Sequence, residues 1–317
     1  MKEPSTAGTP KSVSGHQKTL GARLGECYQL YVFLLPALLL VLLFQYGPMY
    51  GLQIAFKDFN GMLGIWGSPW AGFKNFLRFL KSPSFWQVLG NTVGISLYDL
   101  LIGFPVPIVL ALSLNEVKNK TFKKIVQMIT YAPYFVSVVV VAGMLLLFLN
   151  QSRGVVNHLA AAFSLSRTSF LTEPGWFKTI YVASNLWQHA GWGSIIYMAA
   201  LAGVDPTLLE AATIDGASRM QRIRHINMPV LYPTITVLLI LRVGQLLQVG
   251  FQKILLIQNP LNQSASDIIQ TYVYRVGLIG GQFSYTAAIG MFNNIVNLAL
   301  LVIVNEIAKR TRESSLW

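Results

Sequence analysis

Six stretches run through this chain almost without charge, and each is long enough for a lipid bilayer, which takes about 20 residues per crossing. They are Leu30–Tyr50, Val88–Leu114, Ile125–Leu149, Thr179–Ala200, Val230–Gly250 and Phe283–Asn305. Backbone in hydrocarbon must pair its own amides and carbonyls, so runs of this length fold as helices. The 317 residues are 11% charged, where a soluble domain carries about 25%, and that deficit excludes an ordinary soluble fold. The expectation is an all-α membrane protein with six transmembrane helices. Only Asp99 and Arg242 place formal charge inside the runs. Pro36, Pro105, Pro107 and Pro133 also fall inside them, and Pro105 with Pro107 should bend the second span.

Net charge is +12. The basic residues flank apolar runs, so they read as orienting charge and not as a nucleic-acid surface. With both termini inside, fourteen of the 24 Lys and Arg lie on inner segments and nine on outer ones, Arg242 being within a span. The bias therefore favours cytoplasmic termini. Residues 1–28 are polar and read as a disordered tail, and 306–317 as a short inner tail. The first run, at 29–51, is too long for a signal-peptide core and reads as a retained helix. Cys27 is the single cysteine, so there is no internal disulfide, and no Cys/His cluster has metal-ligand spacing. On the outer side, Pro69–Trp86 mixes aromatic and basic residues in the manner of an interfacial amphipathic helix, and Gln151–Lys178 reads as a loop.

The segment Leu201–Pro229 carries the most information. Asp205-Pro206 is a helix start, with an N-cap carboxylate and proline at the first helical position. A short helix Pro206–Asp215 stops at Gly216, and a second can run from Ser218 towards Asn227 before Pro229 opens the fifth span. The first helix is mostly uncharged, with Leu208, Leu209, Ala211, Ala212 and Ile214, and a water-facing helix of that kind needs a partner. An interfacial hairpin is the plainer reading of the same pattern, but it accounts for neither the identity nor the spacing of Glu210 and Gly216.

Glu210-Ala211-Ala212, then Gly216, then Ile226 and Met228-Pro229 resemble the E-A-A loop of inner-membrane permeases of binding-protein-dependent ABC importers, with Met228 where that family has Leu. Asn91-Thr92, Leu114-Asn115-Glu116-Val117, the segment Tyr131–Ser137, Thr271–Leu278, Gln282–Tyr285 and the ending Glu313–Trp317 are similar to the polysaccharide and oligosaccharide branch of carbohydrate-uptake permeases. The resemblance implies a five-helix permease core at 88–305, with the first helix as an addition. It implies a coupling helix carrying Glu210, Ala211, Ala212, Asp215, Gly216 and Pro229, with Glu210 meeting a basic residue of the ATPase. It also implies a second homologous permease, two copies of a cytoplasmic ATPase, an extracytoplasmic solute-binding protein, a carbohydrate substrate and a bacterial cytoplasmic membrane. The chain has no Gly-Lys dipeptide and hence no P-loop. No cofactor is expected on it; ATP and magnesium belong on the ATPase.

Polar residues inside spans are the candidates for a solute pathway. Asn185, Gln188, His189 and Trp192 make one stripe on the fourth span. Arg242, Gln245 and Gln252 share a face of the fifth, with Gln248 adjacent, and Asn293, Asn294 and Asn297 share one of the sixth. Asp99 and Arg242 sit at similar depth, about 14–16 Å from the outer ends of their spans at ~1.5 Å per residue, so pairing is the economical way to hold both charges. Simple helix bridging would also explain the amides. Two other classes remain as alternatives: an ion-coupled secondary transporter using Asp99 and Arg242, and an intramembrane protease. The second lacks any G-x-S-x-G or H-E-x-x-H motif.

Overall fold

The computed structural model describes residues 28–164 and 166–310; the polar tail before Tyr28 and the segment after Arg310 lie outside them. Contacts divide the chain at Gln53. The first unit holds helix α1, Tyr28–Val41, which continues as a π-helical turn over Leu42–Tyr46. Tyr28–Tyr50 are exposed throughout, as suits an apolar helix with lipid for solvent.

The second unit, from Ile54, is helical, with one isolated antiparallel bridge, Lys57 to Trp70, among its described residues. Among the described residues four helices are long and apolar enough to cross a membrane, and up to six spans result if each of two bent pairs is counted as one. Helix α2, Lys74–Leu80, is shorter than the expected amphipathic helix. Its Phe79 turns inward to a ring cluster with Phe85, Tyr272, Tyr285 and Phe292, so part of the aromatic signal there comes from packing. Helices α3, Ser84–Gly103, and α4, Pro105–Asn115, form the second span of 32 residues, interrupted only at Phe104 before the proline pair.

The third run is not one continuous helix. Helix α5, Lys120–Tyr131, and helix α6, Val138–Phe148, meet at 98°. Pro133 ends the first by removing a donor, a 3-10 turn spans Ala132–Phe135, and Ser137 caps α6 by accepting the Val140 amide at 3.3 Å. The freed carbonyl of Val136 accepts the Gln188 amide at 2.9 Å, which is how broken helices survive at membrane depth. Short helix α7, Val155–Ala162, lies in the loop that follows.

Helix α8, Pro174–Leu201, is the central column and packs along α3, α4 and α5. It turns by 81° into α9, Pro206–Ile214. The next helix departs from expectation. Instead of a separate second hairpin helix, α10, Arg219–Arg222, runs through a π-turn at Ile223–Asn227 straight into α11, Met228–Val243. At the turn the Met228 amide reaches Ile223. The hydrogen-bond ladder has slipped by one residue there, so Pro229 is accommodated without a break.

The segment between the fifth and sixth runs folds back into the bundle. Helix α12, Phe251–Ile257, and helix α13, Ile269–Val273, with its π-turn Tyr274–Ile279, pack on α3 and α6. Asn91 donates to the Ser264 and Asp267 carbonyls at 2.8 and 3.1 Å, and the Ile269 amide donates to Thr92 Oγ1 at 3.0 Å. Asp267 pairs with Arg275 at 2.5 Å. Helix α14, Phe283–Arg310, completes the fold.

Lipid tails are as apolar as leucine, so helix association here rests on close packing. At Gly191 a Cβ would collide with the backbone carbonyl of Thr130 in α5. Gly191→Ala should force α8 away from α5 and destabilise the bundle by about 1–3 kcal/mol. A drop in the thermal midpoint of the detergent-solubilised protein checks this; an unchanged midpoint would show that the crossing yields freely.

Candidate functional site

Two places collect the residues singled out above. The first is a cavity of about 560 Å³ bordered by α3, α8 and the turn after α11. Its geometry comes from that turn. Once the helix ends at Val243, the Leu247 amide donates to Asn297 Oδ1 at 3.0 Å, and its carbonyl accepts from Gln270 at 2.5 Å. The Gly250 amide donates to Tyr181 Oη at 3.0 Å. These three anchors hold Arg242, Gln245, Gln248 and Gln252 around the cavity. Gln245 and Gln252 therefore meet the cavity from a turn and from α12, and not from the helical face that their spacing suggested.

Asp99 is the acidic member. Its Oδ1 accepts from Asn185 Nδ2 at 2.8 Å, and its Oδ2 lies 3.5 Å from Arg242 Nη1. The Asp99 side chain is 14% exposed and the Arg242 side chain 52%, so the arginine reaches from the open side towards an enclosed carboxylate. The fourth-span stripe divides. Asn185 and His189 line the cavity. Gln188 is buried at the break in the third span, and Trp192 stacks on Tyr134 at 4.5 Å, 5° from parallel. Those two brace the broken span. Asn294 is exposed away from the cavity, while Asn297 is spent on the turn. Lys253 is buried beside the cavity, and no local sequence signal marks it.

The second place is the hairpin 201–229. Asp205 caps α9 by accepting the Thr207 amide at 2.9 Å. That bond holds its carboxyl below the usual carboxylate range, so the cap is present at neutral pH and fades as acid protonates it. Gly216 turns the chain at φ +77°, where a Cβ is disfavoured. The Ala217 amide closes the turn on the Ala212 carbonyl at 2.9 Å. Ser218 and Gln221 form a reciprocal capping box at the start of α10. Glu210, Ala211, Asp215 and Gly216 are exposed, as are the apolar side chains of Leu208 and Ile214. Glu210 faces a groove shared with Lys118 and Arg219. Glu116, at the end of α4, ties the hairpin to the second span. It lies 3.4 Å from Arg222 Nη2 and 3.5 Å from Asn227 Nδ2, and Arg222 also donates to the Ala217 carbonyl at 3.0 Å. The partners of Glu116 lie 106 and 111 residues away, beyond any spacing argument.

A long central helix thus turns sharply into a short exposed one. Residues 103–313 match the family described as binding-protein-dependent transport system inner membrane component. The chain belongs to that family. Two relatives come from Bacillus subtilis (strain 168). Protein LplB is 40% identical over 314 residues, 99% of each chain. The polygalacturonan/rhamnogalacturonan transport system permease protein YteP is 42% identical over 301 residues, 95% of this chain and 94% of its own. Among solved structures, a chain of a bacterial ABC transporter involved in the import of the acidic polysaccharide alginate matches with a TM-score of 0.86 at 42% identity. The match covers 93% of this chain and 100% of that one. In the complex of a bacterial alginate ABC transporter with alginate pentasaccharide-bound periplasmic protein, the corresponding values are 0.87, 41%, 94% and 100%. This protein is thus a multi-pass membrane permease subunit of the ABC class, and the protease and secondary-transporter alternatives fall away.

The Asp99–Arg242 contact in this permease has a direct test. Asp99→Asn and Arg242→Gln should each lower detergent stability by about 1–3 kcal/mol, and the double variant should lose less than the sum of the two. Strict additivity in thermal unfolding would show that the two groups are energetically independent.

Proposed function

We propose that this permease forms one half of a saccharide pathway across the bacterial cytoplasmic membrane, moving oligosaccharides or polysaccharide fragments inward. ATP with magnesium is bound and hydrolysed on separate ATPase chains. A second, homologous permease completes the pathway and an extracytoplasmic binding protein delivers the solute. The observation that carries this reading is the nearly full-length match, at 41% identity, to a permease chain seen with a pentasaccharide-bound periplasmic protein. The cavity agrees with it. Asn185, Gln245, Gln248 and Gln252 offer amides that donate to and accept from hydroxyls, the chemistry by which sugars are held.

Coupling falls to the hairpin. An apolar helix exposed at its own surface is completed by burial on a partner. A carboxylate carried into that interface is costly unless a cation of the partner meets it. Among the described residues Glu210 has no ion pair, so it is free to make one with the ATPase. Closure of the ATPase pair would move α9, and α8 and α11, continuous with the hairpin, would carry the movement to the cavity. This is coupling in the strict sense, two sites biasing one two-state element.

Glu210→Ala removes the charge and should cost about 2–5 kcal/mol at the interface. Gly216→Val forces a branched side chain to positive φ and should distort the hairpin. Both should impair ATPase pull-down, or ATP-driven uptake by the reconstituted complex, while the spans stay folded. Wild-type assembly, hydrolysis and uptake in both variants would remove the basis for the coupling role.

The proposed orientation puts both termini and the hairpin in the cytoplasm. On a Cys27→Ser background in intact cells, Ser166→Cys should react with an impermeant maleimide and Ser218→Cys should not. The opposite labelling pattern would invert the topology.

A further inference from the structure

The cavity holds more cation than the chain itself neutralises. Arg242 and Lys253 border it with a single carboxylate, Asp99, and with His189 and the Tyr181 phenol as the other titratable groups. Asp99 is already engaged by Arg242 at 3.5 Å and by Asn185 at 2.8 Å. Lys253 is 4% exposed, and its Nζ has no hydrogen-bond partner among the described residues. Its charge lies 5.8 Å from the centre of the Tyr181 ring, and the same Tyr181 hydroxyl is tied to the Gly250 amide just before α12. The lysine is therefore held in place by the fold, while its three donors are left unused.

A buried ammonium without a hydrogen-bond acceptor is unfavourable. A chain that needed only packing at residue 253 would do better with methionine or leucine. The cost is recovered when a ligand brings an anionic oxygen to the site. We propose, building on the saccharide reading above, that Lys253 takes the carboxylate of an anionic saccharide in transit, with Arg242 as the second cation beside the same cavity. The class this selects is sugar acids, hexuronate chains in particular. The amides of Asn185, Gln245, Gln248 and Gln252 serve the hydroxyls, which charged and neutral sugars share, while Lys253 serves the group that only the charged sugar has. The volume, about 560 Å³, lies within the range of sites that hold one small ligand, so each sugar residue would meet the ammonium in turn as the chain passes. Lysine suits that task, because a compact point charge on a flexible stem holds a carboxylate without locking it bidentately as arginine would.

The experiment uses the complete importer, with its binding protein, in proteoliposomes. Two radiolabelled trisaccharides of identical linkage are compared: a hexuronate trisaccharide, and the same compound with each carboxylate reduced to a hydroxymethyl group. The readout is the ratio of anionic to neutral uptake, in wild type and in Lys253→Met. The binding protein is the same in both complexes, so a change in the ratio belongs to this permease. Lys253→Met should lower the ratio at least tenfold, and Lys253→Arg should bring it back to within about threefold of wild type. The thermal midpoint of Lys253→Met should equal or exceed that of wild type, since an unpartnered charge has been removed from the interior. Should Lys253→Met fail to assemble, Lys253→Gln, isosteric in part and uncharged, replaces it in the same comparison. A ratio unchanged from wild type in the uncharged variant overturns the assignment of Lys253 while leaving the saccharide reading standing. Wild-type uptake of neither trisaccharide, from an importer that assembles and hydrolyses ATP, overturns the saccharide reading itself.

Discussion

A carboxylate enclosed within a membrane bundle has to be answered by other groups, and Asp99 is answered from two directions. Asn185 donates to one oxygen and Arg242 approaches the other. Three elements converge on this point: the second span, the central helix α8 and the end of the fifth. Around it the fifth span stops being helical, and the turn that replaces it is pinned to Asn297, Gln270 and Tyr181. Each of these bonds satisfies a backbone group that hydrocarbon would leave stranded. The cavity exists because that accounting closes with side chains from three different segments, where a continuous helix would have closed it alone.

The same accounting separates what could be read from the sequence from what could not. Long apolar runs announce themselves, because lipid demands them along a single stretch of chain. The hairpin was legible for a similar reason: its cap, its turn and its proline are local, and Asp205, Gly216 and Ser218 stand where local chemistry puts them. Similar depth was enough to suggest that Asp99 and Arg242 could meet. The break in the third span was hidden, since both halves are apolar and Pro133 alone does not distinguish a kink from a right angle. The return of residues 251–279 into the bundle was hidden too. Its helices are each too short, and the stretch between them too polar, to register as a span, and it is held by hydrogen bonds to Asn91, Thr92 and Leu171.

The stripe on α8 shows the resolution limit of periodicity. Asn185 and His189 form one row of the helix, Gln188 and Trp192 the next. Spacing placed all four on one side, and they are on one side, but adjacent rows meet different neighbours. One row faces the cavity and the other repairs the broken third span. A helical wheel cannot tell a pathway from a brace when both are polar.

The contact of Glu116 with the hairpin gives the second span a mechanical meaning. Ser84–Asn115 is a rod of 32 residues, about 48 Å long at ~1.5 Å per residue, and it is gripped at one end by Arg222 and Asn227. Asp99 sits roughly 25 Å along it from Glu116 by the same rise. Pivoting that rod by about 5° at the hairpin would displace Asp99 by roughly 2 Å, the scale of the helix shifts by which proteins switch state. In this geometry a small rotation of the second span about its Glu116 end is amplified at the Asp99–Arg242 contact.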